Sequence, residues 1–217
     1  MTQIDDPTEI FKQAVTSTMK AISGNDELTV SFGRGRPYLQ GNRARIPLPE
    51  SGLSLEQLAA LRGTADKFSL RVRFHDDEMH RKYRPQAGIA QDVFDQVEEA
   101  RLASIGSSLM KGVGQNLTAQ LAQHCRNQGY DTIDSQNQAP LGEAVGYMVR
   151  ERLMGMPLPE SARKVADYWR EHIDEQVGGD FERLEEVMFD QVEFNRIARQ
   201  IITHLGLSDD WGEESSE

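Results

Sequence analysis

The sequence holds a single cysteine, Cys125, so no intrachain disulfide can form, which suits a reducing compartment. Cys125 follows Leu117 and Leu121 at helical spacing and reads as a buried, inert thiol rather than a nucleophile. No apolar run approaches the ~20 residues of a membrane span. The start, Met1-Thr2-Gln3-Ile4-Asp5-Asp6, lacks the basic start and apolar middle of a signal peptide. Basic residues are outnumbered, 24 Lys and Arg against 35 Asp and Glu, and a net charge of -11 argues against a nucleic-acid binder. The expectation is a cytoplasmic protein with neither nucleic acid nor membrane as partner. Ser-His-Asp, Cys-His and Walker arrangements are missing. Gly33-x-Gly35 has no third glycine, no following Lys-Ser/Thr and no helix after it, so it is not a phosphate loop. Asp131-Thr132-Ile133-Asp134-Ser135 does not fit the Asp-x-Ser-x-Ser adhesion motif, and Asn116-Leu117-Thr118 is a glycosylation sequon by letters only.

What is present is helical periodicity over most of the 217 residues, a length that suits one large domain or two small ones. Residues 8–22 repeat apolar positions with a helical period, and Gly24-Asn25 ends them. Leu28 to Phe32 alternates as a strand, with shorter strands at 38–40 and 44–46 around the turn Gly41-Asn42. Ser54, with Gln57 three residues on, caps a helix striped by Leu58, Leu61, Ala65, Phe68 and Val72. Further helices are predicted over 89–111, 115–128, from Pro140 at N1 to Gly155, and from Ala162 through Trp169 and Ile173, both core positions. Gly178-Gly179 is expected to break that helix, and a last one to run from Phe181 to Leu205. The fold class is α+β and predominantly helical, with a small N-terminal sheet or hairpin packed on a helical bundle. Residues 1–207 form the domain, divisible near 156–160. The acidic tail 208–217 reads as the disordered start of a linker, in which Trp211 is a candidate docking residue.

The densest set of metal-capable side chains is His75-Asp76-Asp77-Glu78-Met79-His80. On a continuous helix His75 and His80 do not share a face, whereas Asp76 and His80 do. With Glu98, these make a candidate divalent-metal set; the plainer reading is a helix terminus salt-bridged to Arg73, Arg81 and Arg84. Arg101 falls on an apolar stripe, where a guanidinium is costly unless paired, so a buried brace to Glu98, Asp66 or Asp76 is expected. Arg62, Arg73, Arg81 and Arg84 lie in a basic segment suited to facing a partner.

Two resemblances follow from these residues. The helix 54–74 and the later Val97-Glu98-Glu99-Ala100-Arg101 are similar to the zinc-peptidase plan, in which His-Glu-x-x-His is followed by a third, glutamate ligand. Here Lys67 and Arg71 occupy the histidine slots, Phe68 the glutamate slot and Glu98 the third-ligand slot. The resemblance implies a degenerate zincin-like core in which Glu98 pairs with Lys67 or Arg71 where a metal once sat. The second spans nearly the whole chain: Phe11-Lys12-x-Ala14-Val15, Arg43-Ala44-Arg45-Ile46-Pro47, Arg62-Gly63-x-Ala65-Asp66, His75-Asp76, His80, Phe94-Asp95-x-Val97-Glu98-x-Ala100-Arg101, Met110-x-Gly112-Val113, Ala139-Pro140-Leu141, Met148-Val149-Arg150-Glu151-Arg152-Leu153 and Thr203-His204-Leu205. In this order they resemble the N-terminal region of the T subunit of aerobic cobaltochelatase, CobT. That resemblance implies a complex that inserts Co(II) into hydrogenobyrinic acid a,c-diamide during adenosylcobalamin synthesis, using ATP and Mg. It implies an AAA+ ATPase subunit and a large corrin-binding subunit as partners. It implies, too, a longer family member that continues through an acidic linker into a von Willebrand factor A-type domain. For this segment it implies assembly and coupling, with no catalytic residue and no cofactor of its own; the alternative is metal binding or delivery by His75, Asp76, His80 and Glu98.

Overall fold

A computed structural model of the chain describes residues 6–49 and 52–207; Trp211 and the acidic tail lie outside the described residues. The first helix, α1 (Pro7–Ser23), is capped by Asp6, whose side chain accepts from the Thr8 N–H, and ends at left-handed Gly24. Three strands follow: β1 (Thr29–Gly33), β2 (Tyr38–Gln40) and β3 (Arg43–Pro47). β2 and β3 form the antiparallel hairpin around Gly41, whose φ of 52° suits glycine, with Leu39 opposite Ala44. β1 does not join that hairpin in sequence order. It lies parallel to β3, Phe32 opposite Ile46, giving the order β1-β3-β2. Ala44 and Ile46 point inward and pack with Val15, Met19, Leu28 and Ala65, with Phe68 and Val72 against the same cluster. The sheet therefore sits on α1 and on the helix α2 (Leu55–Phe74). The Ser54–Gln57 capping box starts α2 as the sequence predicts.

After α2 come α3 (Asp77–Tyr83), α4 (Gly88–Leu109), α5 (Lys111–Asn127), a 3-10 turn (Gln136–Gln138), α6 (Leu141–Met154), α7 (Glu160–Asp167), α8 (Arg170–Glu186) and α9 (Gln191–His204). α4 is the central helix, with a long buried face, and α6 lies against it. Close approach is possible because Gly142 and Gly146, one turn apart on α6, meet Asp92 and Gln96; a Cβ at Gly146 would come 2.6 Å from the Gln96 Cβ. Gly63 plays the same part between α2 and α5, where a Cβ would lie 2.2 Å from the Asn116 carbonyl oxygen. The largest core joins α4, α6, α7, α8 and α9 through Val93, Phe94, Val145, Val165, Ile173, Phe194 and Ile201. Leu158, in the segment 156–159 between α6 and α7, is buried in that core. Trp169 packs against it and donates its indole N–H to the Ala139 carbonyl at 2.9 Å.

The fold is predominantly helical α+β, as the periodicity indicates. Four local expectations are corrected. The helix expected from Ala162 through Trp169 and Ile173 is interrupted at 168–169, between α7 and α8. The chain does not break at Gly178-Gly179: α8 runs straight through both. Ile173, Val177, Phe181 and Leu184 tie one face of α8 to the core, and that burial outweighs the cost of about 1 kcal/mol per helical glycine. The stretch expected to be one last helix is instead interrupted at 187–190, where Asp190 caps α9 by accepting from the Val192 and Glu193 N–H groups. Pro140 stands at the N-cap of α6 rather than at N1. Among the described residues no helix is long and apolar enough to cross a membrane.

Candidate functional site

The polar centre of the molecule lies where α2 stops. The helix ends at Phe74; His75 is its extended C-cap, and the Asp76 side chain restarts the chain as α3 by accepting from the Glu78 and Met79 N–H groups at 2.9 Å. The face-sharing argument for a continuous helix fails here, because the helix is interrupted. The turn brings the His75 and His80 rings to 4.8 Å, while the Asp76 carboxylate is committed to the cap.

His75 is 1% exposed in its side chain, and both its nitrogens are engaged. Nδ1 lies 2.6 Å from Glu98 Oε1, and Nε2 lies 3.0 Å from Arg71 Nη2 and 3.1 Å from Asp77 Oδ1. A neutral ring with its proton on Nδ1 satisfies the first two contacts: it donates to Glu98 and accepts from Arg71. Arg101 Nε and Nη2 donate to the two oxygens of Glu98 at 2.7 and 2.8 Å. The guanidinium also donates to the Phe74 carbonyl at 2.7 Å and to the Met188 carbonyl at 3.2 Å. The brace therefore has its carboxylate on its own helix and reaches α2 and the α8–α9 loop through backbone carbonyls. Burial alone would push the Glu98 carboxyl up; the hydrogen bonds from Arg101 and His75 outweigh it and hold it below the ordinary value.

The pairing of Glu98 with Lys67 or Arg71 is corrected by one residue. Lys67 Nζ sits 3.1 Å from Glu99 Oε2, and Arg71 Nη1 sits 3.9 Å from Glu99 Oε1. Successive residues on a helix point about 100° apart, so Glu98 turns toward His75 and Arg101 while Glu99 faces α2. Asp66 does not reach Arg101. It is buried, accepts from Asn116 Nδ2 at 2.8 Å, and burial pushes its carboxyl up to about 6.

The basic segment divides. Arg62 lies over the Phe11 ring, and Arg73 donates to the Ile22 carbonyl, so both face α1. Arg81 and Arg84 line an open cleft with Arg71, Asp77, Asp95 and Glu99, a surface of mixed sign. Arg84 grips Asp95 with two donors, and His80 Nε2 lies 2.9 Å from the same carboxylate. Burial would raise Asp95, but the Arg84 and His80 hydrogen bonds overcome it and hold the carboxyl at about 2. Among the described residues no group of three or more His, Cys, Asp or Glu side chains is arranged to hold a metal ion.

Sequence reasoning missed Glu99, Asp95, Gln191 and Phe189. The last is a phenyl ring 64% exposed in the α8–α9 loop. The one available signal was Asp190-x-x-Glu193, a helix-start pattern inside what reads as a single helix.

Together these features define a class: a helical protein with a small mixed sheet, locked by a buried ion-pair network that joins three distant segments of chain. Within that class the chain belongs to the family of the cobalamin biosynthesis protein CobT, whose family model matches residues 5–217. Membership places it in cobalamin biosynthesis. No solved structure matches the chain.

Proposed function

We propose that this chain is a non-catalytic assembly module of an ATP-dependent cobaltochelatase. In this reading it docks to the AAA+ ATPase subunit, the large corrin-binding subunit, or both, while Co(II), ATP and Mg are handled by its partners. The family supports the pathway. The observation that carries the docking role is Phe189. An exposed phenyl ring costs solubility and offers a partner a large anchor at little entropic cost. It is also held in place: the Met188 carbonyl beside it is bonded to the buried Arg101, and Asp190 caps the next helix. Two residues on, Gln191 is bonded to the start of α3, which carries Arg81 and Asp77. An exposed aromatic on a loop tied to the start of α3, whose Asp77 and Arg81 line a mixed-charge cleft, supplies the parts of a protein-binding surface, an apolar anchor and polar groups. The zincin-like likeness enters the same reading as architecture, with Glu99 bridging two cations four residues apart on α2.

The test is co-purification of the chain with the ATPase subunit and, separately, with the large subunit. Capture of either that is lost in Phe189→Ser and weakened in Arg81→Glu supports the reading, provided both variants keep the parent circular dichroism. Failure of the parent to capture either subunit overturns it.

A further inference from the structure

We propose that the partly enclosed cavity between α2, α4, α5 and α6 binds a small monocarboxylate, with its carboxylate on the guanidinium of Arg150. The cavity, of about 110 Å³, is lined by Lys67, Leu70, Glu99, Leu121, Tyr147 and Arg150 among others. Arg150 is half-buried, and its Nη2 is shielded from solvent with no hydrogen-bond partner; the carboxylate whose charge it feels is Glu99, across the same cavity. This contrasts with Arg101, a fully buried guanidinium with carboxylate and carbonyl partners. An unmatched cation in such a place is destabilising unless an anion arrives to meet it. Burial holds Arg150 below its ordinary value, at about 10, so it still carries its charge near neutrality.

Charge and shape choose the ligand. Glu99 is held 3.1 Å from Lys67 and acts on Arg150 only at longer range, so the Arg150 fork has no carboxylate of its own. A singly charged ligand balances it and meets less repulsion from Glu99, which lines the same cavity, than a phosphate dianion would. The planar guanidinium fork matches a carboxylate. Leu70, Leu102, Leu117 and Leu121 give the rest of the ligand an apolar wall, suited to a short alkyl stem. The Tyr147 hydroxyl is already committed, since it donates to Glu143 and receives the Cys125 thiol, so recognition falls to Arg150. The docking reading is not needed for this site, and failure of one leaves the other standing.

The experiment is calorimetric titration of the whole chain with propionate at constant ionic strength, with phosphate as a second arm. Saturable binding in the millimolar range is expected, and in Arg150→Met it weakens by at least about tenfold. Arg152→Met, an exposed neighbour on α6 paired to Glu182, is expected to bind as the parent does. The ligand-free Arg150→Met protein is expected to melt above the parent, since it no longer holds an unmatched charge; a merely structural arginine would do the reverse. If Arg150→Met does not fold, Arg150→Lys serves in its place, keeping the charge and losing the fork, with weakened binding expected. No saturable propionate binding, equal binding by the variant, or phosphate binding as tight as propionate would each overturn the assignment.

Discussion

Gln191 and Asp76 lie 115 residues apart in sequence and clasp each other through two hydrogen bonds, Asp76 N–H to Gln191 Oε1 at 2.8 Å and Gln191 Nε2 to the Asp76 carbonyl at 3.0 Å. The side-chain amide completes the backbone pairing of a residue that has left one helix and not yet entered the next. Arg101 Nη2 also reaches the same Gln191 oxygen, at 3.3 Å, so the clasp and the buried ion pair are one network. Its two ends are the turn after α2 and the loop that carries Phe189.

Breaking that network from the inside is expected to be costly. Arg101→Met leaves Glu98 buried without its main partner and is expected to lower unfolding stability by about 3–5 kcal/mol in urea titration. Adding Glu98→Gln to the same protein removes the orphaned charge and is expected to restore a good part of the loss. A double variant no better than the single would show that Arg101 acts through its carbonyl bonds alone.

Asp66 and Asp95 are expected to bend the pH–stability curve in opposite directions. The raised Asp66 carboxyl favours the folded state when protonated, so its effect is harmless at pH 4 and costs stability as pH rises toward 6. Asp66→Asn is therefore expected to melt above the parent at pH 7, by at most roughly 3 kcal/mol, and to match it near pH 4. The depressed Asp95 carboxyl stabilises the fold above about pH 4, an effect lost as pH falls toward 2. Asp95→Asn is expected to be weaker than the parent at pH 7 by about 1–2 kcal/mol, allowing for its partial exposure, with the gap closing in acid. Thermal melts across pH 2.5–8 check both signs (roughly the range over which native carboxylates titrate).

Two glycines on helices should respond oppositely to alanine. Gly146→Ala drives a methyl group into Gln96 on α4 and is expected to destabilise by about 1–3 kcal/mol. Gly178→Ala meets open space inside α8 and is expected to stabilise by up to about 1 kcal/mol. Equal effects from the two would mean that α4 and α6 are not packed as tightly as described.

These pairs show where the sequence speaks and where it falls silent. The stripe of α2 is legible in part: Ala65, Phe68 and Val72 share the face under the sheet, whereas the buried Gly63, Ser69 and Leu70 lie off that stripe; the Ser54–Gln57 cap is legible because both partners lie within one turn. The choice between Glu98 and Glu99 is not, because the two point about 100° apart and only the rotation of α4 against α2 decides which of them meets Lys67 and Arg71. Gly178-Gly179 misleads for a related reason: local propensity favours a break, and the contacts that Ile173, Val177, Phe181 and Leu184 make with other helices override it. The Gln191–Asp76 clasp and the unmatched Arg150 depend wholly on contacts between distant segments, which no periodicity encodes.

The lone sulfhydryl has a practical consequence. Cys125 is buried on the inner face of α5, hydrogen-bonded to the Tyr147 hydroxyl, and burial holds it above the ordinary thiol range. An alkylating dye added to the native protein must therefore wait for α5 to lift from the core around it, so labelling kinetics become a built-in stopwatch for breathing of that helix, read out without any engineered probe.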